Sequence, residues 1–252
     1  MKSNAAILVS FCATVMLTAC QKDKQPDTNT NLNKVKTYTE SISISGAEPS
    51  VATYNVAYDA SNRITSLTQV EIPGNKFSFS YTSDTKYSMD IFLAGDLSIH
   101  EDFFLNSNFL PDSTYQYNDT QDTTTEKYLY NSNNQLITLK EYIYSKNIGS
   151  QIDNVTTYTY DSNGNVVKTT DTNKQTETFD YYPDLVYAKP FTDPSLKSAK
   201  AMNLVKTHTV TSNGSLVGSV VFTYTFDNNK RISTITQTTD DGSVGIQTFT
   251  YY

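Results

Sequence analysis

A seven-residue segment recurs four times without gaps and limits what this chain can fold into. The copies are Tyr58-Asp59-Ala60-Ser61-Asn62-Arg63-Ile64, Tyr130-Asn131-Ser132-Asn133-Asn134-Gln135-Leu136, Tyr160-Asp161-Ser162-Asn163-Gly164-Asn165-Val166 and Phe226-Asp227-Asn228-Asn229-Lys230-Arg231-Ile232. An aromatic residue closes one run of alternating residues, and an aliphatic residue opens the next six positions later. Between them Asp or Asn can accept hydrogen bonds from the backbone ahead and hold a type I turn. Asn62, Asn134 and Gly164 suit the left-handed residue that follows such a turn in a hairpin. Lys230 departs from that preference, which leaves the register of the fourth turn open.

Around these turns polar and apolar residues alternate, the period of a strand with one buried face. Phe77, Phe79 and Tyr81 form one such row, and Phe222, Tyr224 and Phe226 another. Pro73-Gly74-Asn75 marks a further hairpin, and Asn213-Gly214 and Asp241-Gly242 read as two-residue turns. Asp193-Pro194 offers an N-cap and a first helical residue, so a short helix is expected near 194–202, dividing the sheet in two or plugging one end. The expected fold is all-β: an antiparallel meander of about a dozen strands curled into an open or barrel-like sheet.

The repeat resembles the YD repeat of Rhs-type shell proteins, most closely at Tyr158-Thr159-Tyr160-Asp161 with Gly164 and at Phe226-Asp227 with Arg231-Ile232. The copies are too few and too unevenly spaced to wind a closed shell. At the N-terminus, Lys2 precedes an apolar run from Ala5 to Ala19, shorter than the roughly 20 residues a membrane-crossing helix needs. That run ends in Leu17-Thr18-Ala19-Cys20, which resembles the bacterial lipobox. The resemblance implies a lipoprotein signal peptide over 1–19, lipidation of Cys20, a polar tether over 20–34 and a β domain over 35–252. Taken together, the chain resembles small Bacteroidetes lipoproteins of a domain family of unknown function with a porin-like, β-barrel-like fold. That implies an outer-membrane lipoprotein held through Cys20, and leaves its periplasmic and surface faces both open. Polar stretches such as Thr234-Ile235-Thr236-Gln237-Thr238-Thr239 and Thr123-Thr124-Thr125-Glu126-Lys127 are expected to put hydroxyls on the outer face, where a membrane-spanning barrel needs an apolar band.

A net charge of -7 without a basic block gives no footprint for nucleic acid. The lipobox resemblance implies that Cys12 leaves with the signal segment and Cys20 is lipidated, which would leave no thiol for a disulfide, a metal site or a nucleophile. His100 and His208 have no metal or base partner at a local spacing, and no phosphate loop or nucleophile elbow occurs. Asp161-x-Asn163-x-Asn165 has the odd-position oxygens of a calcium loop but lacks its later Gly and Glu. No cofactor, metal or catalytic residue is therefore expected.

The ligand hypothesis rests on the tyrosine rows, Tyr54, Tyr58, Tyr81, Tyr115, Tyr117, Tyr128, Tyr130, Tyr142, Tyr144, Tyr158, Tyr160, Tyr181 and Tyr224, whose rings are flat, apolar and tipped with a hydroxyl. Tyr58, Tyr81, Tyr117, Tyr130, Tyr160 and Tyr224 are the candidates for one groove on the concave face, although aromatic pairs also stabilise sheets directly. The leading expectation is a non-enzymatic binding module for a small lipid or glycan. A structural or protein-interacting component of an envelope assembly, its partner unknown, and a polymer hydrolase are the alternatives.

Overall fold

The computed structural model describes residues 34–44, 47–120, 122–146, 149–187 and 202–252. Sixteen strands follow in chain order: β1 (Val35–Ser43), β2 (Ser50–Tyr58), β3 (Ile64–Gln69), β4 (Lys76–Ser83), β5 (Lys86–Leu93), β6 (Asp96–Leu105), β7 (Pro111–Asn118), β8 (Thr123–Tyr130), β9 (Leu136–Ser145), β10 (Ser150–Tyr160), β11 (Val166–Thr170), β12 (Gln175–Tyr187), β13 (Met202–Ser212), β14 (Ser215–Phe226), β15 (Ile232–Thr239) and β16 (Val244–Tyr251). Each pairs antiparallel with its chain neighbours, and β1 pairs with β16 from Val35↔Tyr251 to Ser43↔Val244, closing a barrel without edges.

Among the described residues sixteen strands stand where about a dozen are expected, and of the open and barrel-like forms the all-β sheet takes the barrel-like one, closed. The expected helix falls on residues outside those described, except Met202, which opens β13. The sheet is not divided there, because β12 and β13 are paired from Gln175↔Ser212 to Tyr187↔Met202.

All four repeats form the same turn at one end of the barrel, here the lower end. In each, the Asp or Asn side chain accepts the backbone N–H groups two and four residues on, as Asp59 does from Ser61 and Arg63 and Asp227 from Asn229 and Arg231, all at 2.9 Å. The fourth residue after the aromatic is left-handed: Asn62 (φ 66°), Asn134 (φ 60°), Gly164 (φ 87°) and Lys230 (φ 61°). The strand pairing shifts by one residue beside each turn. Lys230 thus shares the register of the other copies, because the Asp227 bonds on either side fix the backbone against its own preference. Arg63 and Arg231 add a second tie, each placing Nε 2.7 Å from its aspartate and its guanidinium 4.2 and 4.1 Å over the rings of Tyr81 and Tyr251.

A fifth copy joins β6 to β7, with Asn106 Oδ1 accepting from Asn108 and Leu110 and Phe109 at φ 61°. Asn213 and Gly214 form the expected two-residue turn, both at positive φ. Asp241-Gly242 does not: β15 and β16 are joined by residues 240–243, and Thr239 N–H bonds the Ser243 carbonyl at 3.0 Å. That loop is a longer, bulged hairpin because Asp241 Oδ1 accepts the Ser243 N–H at 2.9 Å. At the opposite, upper end Gly74 lies against the Ala94-Gly95 turn so closely that a Cβ there would stand 2.8 Å from the backbone.

The pleat sorts side chains onto two faces. Val35, Val56, Ile64, Leu204, Ile232 and Phe249 form a buried cluster inside the barrel, with Tyr58, Phe79, Tyr182, Tyr224 and Tyr251 packed on it. The outward positions of β14, β15 and β16 are largely threonine, among them Thr225, Thr234 and Thr248, which the register sets beside one another. Thr37 and Thr250 hydroxyls meet across β1 and β16 at 2.6 Å. Apolar outward residues such as Val51, Val221 and Ile246 are interspersed among them. Threonines thus interrupt the outer face, where a membrane-spanning barrel carries an apolar band.

Candidate functional site

Of the six groove tyrosines, five lie inside the barrel and serve its construction. Tyr58, Tyr81, Tyr130, Tyr160 and Tyr224 each donate the phenolic hydroxyl to a carbonyl of the preceding strand: Val35 (3.0 Å), Ile64 (2.9 Å), Pro111 (2.8 Å), Leu136 (2.8 Å) and Val205 (2.9 Å). Tyr181 and Tyr251 do the same to Val166 (2.6 Å) and Ile232 (2.7 Å). Several acceptors are the aliphatic residues that close the repeats, so each repeat is tied to a tyrosine in a later strand. Burial pushes the hydroxyls of Tyr58 and Tyr160 up to about 12, as expected of phenols held neutral in a packed interior.

The interior is also acidic. Every strand glutamate faces inward: Glu40 shares a face with Tyr38, Glu101 with Phe103, Glu126 with Tyr128, and Glu177 with Phe179. Glu141 stands directly opposite Glu126. Glu126 accepts from Thr114 at 3.2 Å and from the Tyr128 hydroxyl. Burial, with the Glu126 charge second, raises the Glu141 carboxyl above its ordinary value.

Tyr117, the sixth groove candidate, is on the opposite face. Tyr115 and Tyr117 on β7 point outward with Tyr142 and Tyr144 on β9, and these are the outward tyrosines among the described strand side chains. Pairing sets them in two rows, Tyr115↔Thr125↔Tyr142 and Tyr117↔Thr123↔Tyr144. The two tyrosine columns are two strand spacings apart, about 10 Å. Tyr115, Tyr117 and Tyr144 are 42%, 38% and 45% exposed, and Tyr142 is half-buried. The rings of Tyr115 and Tyr117 are 6.3 Å apart and inclined by 49°. Asp102 lies opposite Tyr115 and Asp153 opposite Tyr142, one at each end of the row. The result is a shallow platform of rings, hydroxyls and flanking carboxylates on an otherwise threonine-rich surface.

The histidines are separated by the barrel wall. His100, outside, has Nδ1 2.6 Å from Asp90 and Nε2 3.7 Å from Asp102, with its ring 4.9 Å from that of Tyr117. His208, inside, is 2% exposed, stacked on Phe179 at 4.7 Å with Nε2 3.4 Å from Glu177. The oxygens of Asp161 are occupied by its own turn: Asn163 N–H, Asn165 N–H and the Asn165 amide bond them at 2.9, 2.8 and 2.8 Å. Among the described residues no cluster of three or more His, Cys, Asp or Glu is arranged to hold a metal ion. Cys20 lies outside the described residues.

Solved structures share this barrel. A porin-like protein from Bacteroides uniformis ATCC 8492 superposes with a TM-score of 0.60 at 14% identity, over 88% of this chain and 98% of that one. A porin-like protein from Bacteroides vulgatus ATCC 8482 does so with a TM-score of 0.53 at 12% identity, over 87% of this chain and 98% of that one. At such identities the likeness is one of fold. No family model matches the chain, and no curated protein is found related to it.

Proposed function

We propose that the protein is a non-enzymatic, glycan-binding lipoprotein of the bacterial cell envelope, tethered through Cys20, with its barrel standing in water and the platform of Tyr115, Tyr117, Tyr142 and Tyr144 as its binding surface. One observation carries the reading: the outward tyrosines are gathered on β7 and β9 around a threonine column. Pyranose rings stack on flat aromatic faces, which supply contact area at little conformational cost. Thr123, Thr125, Asp102 and Asp153 supply hydrogen-bond partners for sugar hydroxyls around the rings. Between the two ligand classes expected from the sequence, the geometry favours the glycan. An acyl chain needs an enclosed apolar channel, whereas the platform is open and the interior carries glutamates. The porin-like Bacteroides barrels accord with an envelope location, and the threonine-rich outer face accords with a tethered barrel.

Affinity electrophoresis of the protein through gels containing neutral and acidic polysaccharides tests the reading. At least one polysaccharide retards the parent, and substituting the four tyrosines with alanine abolishes the retardation while the melting temperature is kept. Equal retardation of parent and variant would refute it.

A further inference from the structure

The row beneath the platform carries a charge the barrel does not neutralise. Lys127 on β8 and Lys140 on β9 are directly opposite one another, between Ser113 and Val155. Facing side chains at such positions have Cβ atoms about 5 Å apart, where like charges repel. Neither lysine is in an ion pair among the described residues. The carboxylates nearby on the outer face are otherwise placed: Asp102 is 3.5 Å from Lys86, Asp90 holds His100, and Asp153 stands one row up, opposite Tyr142. Glu126 and Glu141 sit on the same two strands with their carboxylates on the inner face.

Lys140 precedes Tyr142 by two residues on one face of β9, and Lys127 follows Thr125 by two on β8. Two residues along a strand span about 7 Å, within the reach of a lysine side chain. A sugar ring stacked on Tyr142 therefore has its substituents beside both ammonium groups.

Resting on the glycan-binding reading, we infer that the platform takes a carboxylate-bearing glycan, a chain containing uronic acid residues. The rings stack on the tyrosines, the hydroxyls bond Thr123, Thr125 and the flanking aspartates, and a sugar carboxylate lies between Lys127 and Lys140. The sugar's charge relieves the repulsion of the lysine pair, so the site selects acidic over neutral chains.

The test is titration calorimetry on the full-length protein with an oligogalacturonate and with the same oligomer after reduction of its carboxyl groups. The parent binds the acidic oligomer at least about tenfold more tightly at low salt, and the advantage disappears at high salt. In the Lys127→Ser/Lys140→Thr variant the two oligomers bind alike, at the affinity the parent shows for the reduced one. Both substitutions are on the surface, and the parent melting temperature or a higher one verifies folding. Equal affinity of the parent for the two oligomers, or an acidic preference that survives in the lysine variant, overturns the inference. In that case loss of reduced-oligomer binding in a Tyr142→Ala/Tyr144→Ala variant would leave the platform reading standing. Binding of neither oligomer, or of a phosphorylated oligosaccharide in their place, also overturns it.

Discussion

If the interior tyrosines hold the barrel rather than a ligand, removing their hydroxyls lowers stability. Tyr160→Phe deletes the 2.8 Å bond to the Leu136 carbonyl, and Tyr224→Phe the 2.9 Å bond to the Val205 carbonyl. Both rings stay in place, so no cavity opens. Each change costs about 1 kcal/mol, the net worth of one hydrogen bond with its acceptor left unsatisfied. The sites are on β10 and β14 and share no partner, so the double variant loses about 2 kcal/mol. For a domain of this size that lowers the melting temperature by about 4 to 8 °C, read by circular dichroism at pH 7. The same change on the platform, Tyr142→Phe/Tyr144→Phe, shifts it by less than about 1 °C. Alkali gives a second signature. Because burial holds Tyr160 at about 12 in the folded chain against about 10 unfolded, its contribution is full below pH 10 and is lost as pH rises towards 12. The double variant therefore differs less from the parent at pH 11 than at pH 7. A double variant melting within about 1 °C of the parent, or a platform variant melting as low as the interior one, would refute the assignment.

Further outcomes follow from other parts of the barrel. Glu141→Gln removes one of two facing inner carboxylates and stabilises the barrel by up to about 1 kcal/mol at pH 7; since the folded carboxyl titrates above its ordinary value, the gain vanishes in chemical denaturation at pH 4, where the parent group is protonated. Gly74→Ala sets a Cβ 2.8 Å from the Ala94 and Gly95 backbone and costs about 1 to 3 kcal/mol, which urea unfolding measures. Asp161→Ala frees the N–H groups of Asn163 and Asn165 and costs about 1 to 2 kcal/mol, as loss of a helix cap does. Desolvation pushes the Asp161 carboxyl up, but the Asn165 amide and the turn's N–H groups outweigh it and hold the carboxyl below the usual range. The parent's advantage over Asp161→Ala is thus full above about pH 4 and shrinks as pH falls through the folded value.

The turn chemistry was legible because it is local: an Asx side chain and the backbone within four residues of it determine most of each repeat. The fifth copy was hidden because Leu105 stands where the others have an aromatic and Pro111 where they have an aliphatic. A proline at a strand's first residue reads as a break, although no ladder N–H is needed there. Closure depends on β1 meeting β16 across the length of the domain, which periodicity does not encode. Tyrosine alternation showed that the rows share faces but not which face was inner. Tyr117 and Tyr130 look equivalent in sequence, yet the register from β7 to β8 sends them to opposite sides of the wall. The platform was missed because its rows run across β7, β8 and β9, and a row across strands leaves no period along the chain. The signal that was available is the parity of Tyr115 and Tyr117 against Thr114 and Gln116, readable once one neighbouring strand is anchored.

Nitration of the folded protein, followed by mass mapping of every tyrosine, tests the central claim most directly. The account predicts rapid modification of Tyr115, Tyr117, Tyr142 and Tyr144, together with the exposed Tyr252, and protection of the first four by a bound acidic oligosaccharide. Tyr87, Tyr128 and Tyr224 stay unmodified until the barrel unfolds. Comparable reaction of Tyr128 and Tyr224 in the folded protein, or protection that falls on interior tyrosines instead of the platform, would contradict it.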